Sequence, residues 1–423
     1  MTTANVFLVL AFDHPTRAVE SVGDRMAAGL CTLGFNAAVL SLPRDAAKLA
    51  QLPPQQVCGV LSLGPLPLSV RIGERALWEH FDCPVSLYLL DAILYDMARV
   101  PVMGDFLNAA RRDPRLGLVA PETGYRDWLA STLAVQWDHV PFAAFPCVQR
   151  GPLARAAAGA QPRLPRVAVI GTIGNELGGT PAGETLPGLL ARVAGAQATP
   201  ERLATLHDAL LAPGADAMPA LTVARALGWG PERAFDRPSL GLLVAVDSWV
   251  KRHRRIRAVA SLAGVPVDFY GTGWKEHFGD APGFNYIGRV HHDNIARVLA
   301  HYRATVNFDP NWQGGVHDRV YSAAAMGTHV FTNANTGLAA AGLPADLVTT
   351  YDANAPRLAT LVADSGVLAC DHPGGARVDV LARHNWGSRM ADWLCADGVP
   401  RASAAAQERA VPGTRQREVA QAA

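Results

Sequence analysis

Hydrophobic residues in this chain come in short unbroken blocks, and stretches of helical period separate them. That alternation predicts strands and helices in turn. Asn5 to Phe12 is the first such block and reads as a strand. A helix pattern runs from about Arg17 to Leu33, Gly34 closes it, and Asn36 to Leu42 reads as a second strand. Val57 to Leu63, Pro84 to Leu90, Leu116 to Ala120 and Val140 to Phe145 are further strand candidates, with a helix from about Thr123 to Leu133. Blocks without polar alternation belong to parallel sheets covered on both faces, so the expected class is α/β.

Cys147 to Pro165 is rich in Gly, Ala, Arg and Pro and reads as a linker. The pattern then restarts. Arg166 to Ile170 is a strand running into Gly171-Thr172-Ile173-Gly174, and helical patterns fill much of Leu186 to Leu227. A helix from about Leu240 to Leu262 carries Lys251-Arg252-His253-Arg254-Arg255. Strands follow at Val265 to Tyr270, ending in Gly271-Thr272-Gly273, at Phe284 to Ile287 before Gly288-Arg289-Val290, and at Leu347 to Tyr351. Asp293 is placed as an N-cap for a helix reaching about Tyr302. The division expected is a first domain over 1–150, a linker over 151–165, a second domain over 166–384, a last helix over 385–396 and a disordered tail over 397–423.

The stretch Thr305 to Asn333 organises the second domain. Thr305 to Phe308 reads as a strand, Gln313-Gly314-Gly315 as a flexible turn, and the residues from Val316 or His317 to Gly327 as a helix before the next strand. Strand, glycine loop, helix, strand is a mononucleotide-binding half-unit. The backbone N–H groups and helix dipole at such a turn suit a phosphate. Arg319 adds a positive charge one turn into the helix; Asp318 competes for the same field, or caps the helix, or holds Arg319. An ordinary crossover with no ligand is the alternative reading of these residues.

Length and composition narrow the rest. A chain of 423 residues is long enough for two cored domains. Lys+Arg of 38 against Asp+Glu of 37 leaves a formal charge of +1, which excludes nucleic acid or an anionic membrane as a bulk partner. Lysine occurs only at Lys48, Lys251 and Lys275, so the positive charge is nearly all arginine. Six cysteines without a C-x-x-C pair read as buried thiols in a reducing compartment. With no signal peptide and no apolar run long enough to span a bilayer, a cytoplasmic bacterial protein is expected, at most peripheral to a membrane.

The arrangement around Gly314 resembles the donor half of bacterial GT-B glycosyltransferases, and within them the group-1-like branch that includes spore-maturation-type enzymes. The residues that carry the resemblance are Gly314-Gly315-Val316-His317-Asp318-Arg319, Ser322 and Gly327. Ordered landmarks extend over roughly Val244 to Thr332. Ser322 stands where the wider group has a carboxylate, which removes the acid that usually contacts the ribose. The resemblance implies two Rossmann-like domains facing each other across a cleft. The second binds a nucleotide sugar and the first presents a glycan, lipid-linked or protein acceptor. Transfer needs no metal and no cofactor. Donor contacts would come from the Gly314 to Arg319 loop with Ser322, from Gly171 and Thr172, from Gly271 and Thr272, and from Tyr286, Gly288 and Arg289 at the nucleobase.

A base must take the acceptor's proton, and acids at the carboxyl ends of first-domain strands are the candidates. Asp91 follows the block Val85 to Leu90, while Asp13 and His14 follow the first strand. The related enzymes often have Asp-His-Pro or Asp-x-Pro at the matching strand; Asp91-Ala92-Ile93 departs from that. Each candidate could equally be a cap or turn residue. Arg252, Arg254 and Arg255 read first as a solvated face, with a phosphate contact as the alternative. His291-His292-Asp293 is a weak metal candidate, because neighbouring residues at a helix start point apart. An oxidoreductase reading fails for want of a complete G-x-G-x-x-G. A silent nucleotide-sugar-binding protein and an epimerase on the same fold stay open.

Overall fold

The computed structural model describes residues 6–126, 128–129, 134–143, 162–173, 184–215, 218–234, 236–309, 311–370 and 377–395. The expected tail over 397–423, most of the linker, Cys147 and Gly174 lie outside these residues.

Two six-stranded parallel sheets form the frame. The first contains β1 (Val6–Phe12), β2 (Asn36–Leu42), β3 (Val57–Leu63), β6 (Val85–Tyr88), β7 (Leu116–Ala120) and β8 (Trp137–His139), in the order β2-β1-β3-β6-β7-β8. The short β4 (Arg71–Ile72) and β5 (Arg75–Ala76) pair only with each other. The second sheet contains β9 (Leu164–Ile170), β10 (Val267–Tyr270), β11 (Phe284–Gly288), β12 (Tyr302–Asn307), β13 (His329–Asn333) and β14 (Val348–Tyr351), in the order β11-β10-β9-β12-β13-β14. Each is a Rossmann-like domain. The strand order reverses between β1 and β3 in the first and between β9 and β12 in the second. In open α/β sheets, ligands bind outside the carboxyl ends of the strands at such a reversal.

The blocks are continuous because the sheets are covered on both faces: β1 is buried from Phe7 to Ala11, and β7 throughout. Two apolar cores run through both domains. One joins Leu8, Leu87 and Phe106 of the first domain to Leu190, Leu221 and Leu243 of the second. The other joins Val9, Met26 and Phe142 to Trp312, Val320 and Trp386. The helix Trp386–Cys395 lies against the first-domain helix Ala18–Thr32, so closely that a Cβ on Gly29 would stand 2.9 Å from the Trp386 backbone. Trp393 Nε1 donates to Asp138 Oδ2 at 3.3 Å. An interface this apolar opposes free hinge motion of the domains.

Several expectations need correction. Trp137–His139 forms the strand here, while Val140 and Phe142 lie outside it and fill the core between domains; Ala144 and Phe145 lie outside the described residues. The second domain's first strand begins at Leu164, inside the expected linker. Asp293 caps no helix: it accepts from Ser21 Oγ and faces Arg17 and Arg25 of the first domain. The thiols are not uniformly buried: among the described residues Cys31, Cys370 and Cys395 are exposed, Cys58 is half-buried and Cys83 is buried, all of them free. No helix among the described residues is long and apolar enough to cross a membrane.

Candidate functional site

The reversal between β9 and β12 is closed from below by three carbonyl contacts. The Ile170 carbonyl accepts from Arg319 Nη1, the Gly171 carbonyl from Trp274 Nε1 at 2.7 Å, and the Thr172 carbonyl from Arg255 Nη1 at 2.9 Å. Gly271 sits at φ +151, and a Cβ there would collide with the Gly171 carbonyl. Gly171, Thr172 and Gly271 therefore build the rim by packing on one another. Tyr286 is occupied structurally: its ring stacks on Phe269 at 5.3 Å and its hydroxyl donates to the Gly279 carbonyl. Gly288 accepts from the Gly271 amide at 2.8 Å, and Arg289 is exposed beside it.

The glycine loop is pressed against the first domain. Glu122 follows β7 of the first domain and is 4% exposed. Its Oε1 accepts from the Gly124 amide and, at 3.4 Å, from the Gly314 amide. Burial pushes its carboxyl up, against these hydrogen bonds. A Cβ on Gly314 would collide with Thr123 Oγ1, and one on Gly315 would lie 2.6 Å from the Pro121 carbonyl. These glycines admit the backbone of the opposite domain. Val316 is buried in the shared core and Ser322 is fully buried.

The helix Asp318–Ala325 is capped by its own residues. His317 Nδ1 and Asp318 Oδ1 both accept from the Arg319 amide, at 3.3 and 2.9 Å. Burial opposes ionisation of Asp318, yet His317 and His292 beside it hold its carboxyl well below the usual range. Burial and Arg319 push His317 down to about 4. At this turn the Gly314 amide and both the amide and guanidinium of Arg319 have partners within the protein.

Beside the loop lies a cavity of about 300 Å³ over the carboxyl ends of β12, β13 and β14. Lys251, Arg254 and Arg255 line it, with Asp309, Asn333 and Asp352. The three cations come from the helix Arg237–Ala260, where positions i, i+3 and i+4 share a face. The solvated-face reading therefore holds only for Arg252, which is exposed. Arg254 Nε donates to Asn354 Oδ1 at 2.9 Å, Nη1 to Asn311 Oδ1 at 3.3 Å and Nη2 to the Leu210 carbonyl at 3.2 Å. Gly214 and Ala215 roof the cavity, held by the Gly214 amide donating to Asp352 at 2.7 Å.

Asp309 lines this space, and Asp91 stands close to one of its cations. Asp309 Oδ1 accepts from Asn307 Nδ2 at 2.8 Å and Oδ2 from Asn335 Nδ2 at 2.6 Å; burial pushes its carboxyl up to about 7. Asp91 stands just past the carboxyl end of β6, a third exposed, with Oδ1 4.0 Å from Lys251 Nζ. Asp13 and His14 are engaged within the first domain. Asp13 accepts from Ser41 Oγ at 2.6 Å and pairs with Arg44 at 3.2 Å, while His14 Nδ1 contacts Thr16 Oγ1 at 2.9 Å. Among the described residues no group of three or more His, Cys, Asp or Glu could hold a metal ion.

Residues 251–395 match the family described as glycosyl transferase-like. The match covers much of the second domain. The match begins at Lys251, so it takes in the cation face as well as the glycine loop, and it does not distinguish one branch of these enzymes. No curated protein matches the chain. Solved structures similar to this chain include HepE from Anabaena in complex with UDP-glucose (12% identity, TM-score 0.47, 92% of this chain and 99% of that one). A glycosyltransferase from Rickettsia africae is similar at 10% identity, TM-score 0.45, 92% and 97% covered. The T4 phage enzyme BGT, solved with its UDP-glucose substrate, is similar at 8% identity, TM-score 0.42, 96% and 99% covered.

Sequence reasoning missed Glu122, Lys251 and Asp309. Glu122 and Asp309 each follow a strand of a parallel sheet, the same signal that marked Asp91. Lys251 was within reach of the helical spacing.

Proposed function

We propose that this glycosyltransferase moves a sugar from a nucleotide sugar to an acceptor hydroxyl on a glycan, a lipid carrier or a protein, without a metal. The donor's diphosphate occupies the cavity lined by Lys251, Arg254 and Arg255, and Asp91 serves as the base. The observation that carries this reading is the position of Asp91, an acid of the first domain, 4.0 Å from a cavity-lining cation of the second. The bond between the anomeric carbon and the phosphate oxygen breaks, and its electron pair stays on the diphosphate. The acceptor oxygen forms the new bond, and its proton passes to Asp91. Three cations lining the cavity stabilise the charge that develops on the leaving group.

Titrating the purified chain with UDP, GDP, dTDP and CMP sugars tests the proposal, followed by transfer of labelled sugar to candidate acceptors. Binding of one class, lost on Lys251→Met, is the expected result. Folded protein that binds none of the four would overturn the reading. Ser322 in place of an acid keeps a second reading open, a nucleotide-sugar-binding protein that does not turn over. Binding without release or transfer of labelled sugar would select it, and isomerised donor without acceptor would indicate an epimerase.

A further inference from the structure

We infer that Lys251 is shared between two anions. Without ligand it faces Asp91, and a diphosphate entering the cavity draws the ammonium away and leaves Asp91 a carboxylate able to take the acceptor's proton. The inference rests on the reading of the cavity as the donor's phosphate site.

Lys251 is 7% exposed and lines the cavity, with Nζ 4.0 Å from Asp91 Oδ1 and 5.4 Å from the centre of the Tyr95 ring. That separation is an ion pair held by charge, too long for a hydrogen bond. Asp247, one turn earlier on the same helix, also attracts the ammonium; its Oδ2 accepts from Tyr95 Oη at 2.6 Å and from Asn311 Nδ2 at 3.0 Å, which leaves Asp91 the acid on the first-domain side. Arg255, one turn on, and Arg99 repel the ammonium, and Asp96 lies half-buried on the helix Ile93–Arg99 that follows Asp91. Burial lowers the pKa of Lys251 and Asp91 raises it, so the ammonium depends on an anion to stay charged. An incoming diphosphate supplies that anion from the cavity side. A lysine can change partners by rotating its stem, which a fixed arginine fork bound to three acceptors cannot do so readily.

The consequence is an order of events. While Lys251 pairs with Asp91, an ammonium occupies the side of the carboxylate that the acceptor's proton must reach. Donor binding removes the pairing charge, so the base becomes active only when a sugar is in place to receive the acceptor oxygen.

A double-mutant cycle on the full chain tests this, with UDP and with GDP as probes and calorimetric Kd as the readout. Asp91→Asn alone is expected to tighten binding about five- to tenfold, because Lys251 is no longer divided, while Lys251→Met alone weakens it tenfold or more. In the Lys251→Met background, Asp91→Asn is expected to shift Kd less than twofold. Equal tightening in both backgrounds would show a general field effect and overturn the inference, as would no tightening in the wild-type background. If Lys251→Met does not fold, Lys251→Gln closes the same cycle. Failure of the phosphate-site reading looks different: neither nucleotide binds wild type, or both bind the Lys251 variant as well as wild type.

Discussion

Two short segments of the second domain carry the signs of an anion binder, and their surroundings decide between them. The loop Gln313 to Arg319 has glycines, a helix start and an arginine. In the fold it is pressed against the first domain, with the Gly314 amide facing Glu122 and Arg319 bonded to the Ile170 carbonyl. The helix segment Lys251 to Arg255 has no glycine and reads as a surface. In the fold it places three cations along a cavity of about 300 Å³. Glycine marks where something approaches the backbone closely, and that something can be a phosphate or another stretch of chain. Charge near an opening is the more direct sign of a ligand.

The comparison breaks most sharply under charge removal. Lys251→Met with Arg255→Met is expected to weaken nucleotide-sugar binding by about 100-fold or more, since each charged contact contributes about 1.5–3 kcal/mol. Arg319→Met is expected to change affinity less than about tenfold, its main cost being stability. Isothermal titration of both variants checks this. A larger loss from Arg319→Met would return the anion site to the glycine loop.

Close packing of the loop gives the next effect. Gly314→Ala places a Cβ against Thr123, whose own Cβ would be 3.2 Å away, so the domains must shift. The expected cost is about 1–3 kcal/mol of stability, the range for overpacking a tight contact. Thr123→Ala in the same chain should restore part of it, with donor affinity unchanged. Denaturant unfolding of the single and double variants measures both. A loss of affinity without a loss of stability would mean that the glycine serves a ligand after all.

The strands of both sheets were legible because coverage on both faces removes polar alternation; the block Val265 to Tyr270 differs from β10 by two residues. Val140 and Phe142 misled because apolar side chains between domains look the same in sequence as those within a sheet. Asp91 was legible as an acid at a strand tip, but its partner was not, since Lys251 arrives from a helix 160 positions away. The cavity itself could not be read, because Gly214, Asp309 and Asp352 meet only in the fold.

Asp309 gives a smaller effect with a defined sign. Its carboxyl is pushed up to about 7 by burial, so it is neutral below that pH and negative above it, facing any phosphate in the cavity. Affinity for a nucleotide sugar, whose diphosphate does not titrate in this range, should be greatest below pH 7. It should fall severalfold between pH 6 and pH 8, and Asp309→Asn should flatten the slope. Stability follows the same sign. Between about 4, where the unfolded carboxyl titrates, and about 7 the folded chain binds the extra proton, so its contribution is lost as pH rises. The melting temperature of Asp309→Asn relative to wild type should therefore climb from pH 5 to pH 8.

The smallest expected effect separates the members of the basic run. Residues 251, 254 and 255 lie within one helical turn on one face, while residue 252 is rotated about 100° from 251. Lys251 and Arg254 are buried, and Arg252 is exposed. Arg252→Ala should change stability by less than about 0.5 kcal/mol, as surface substitutions do, and leave donor affinity within twofold. A larger loss of affinity would mean that the cations act through the summed field of the helix rather than through contact. The cavity would then be a site of attraction only, with the decisive phosphate contacts made elsewhere on the rim between β9 and β12.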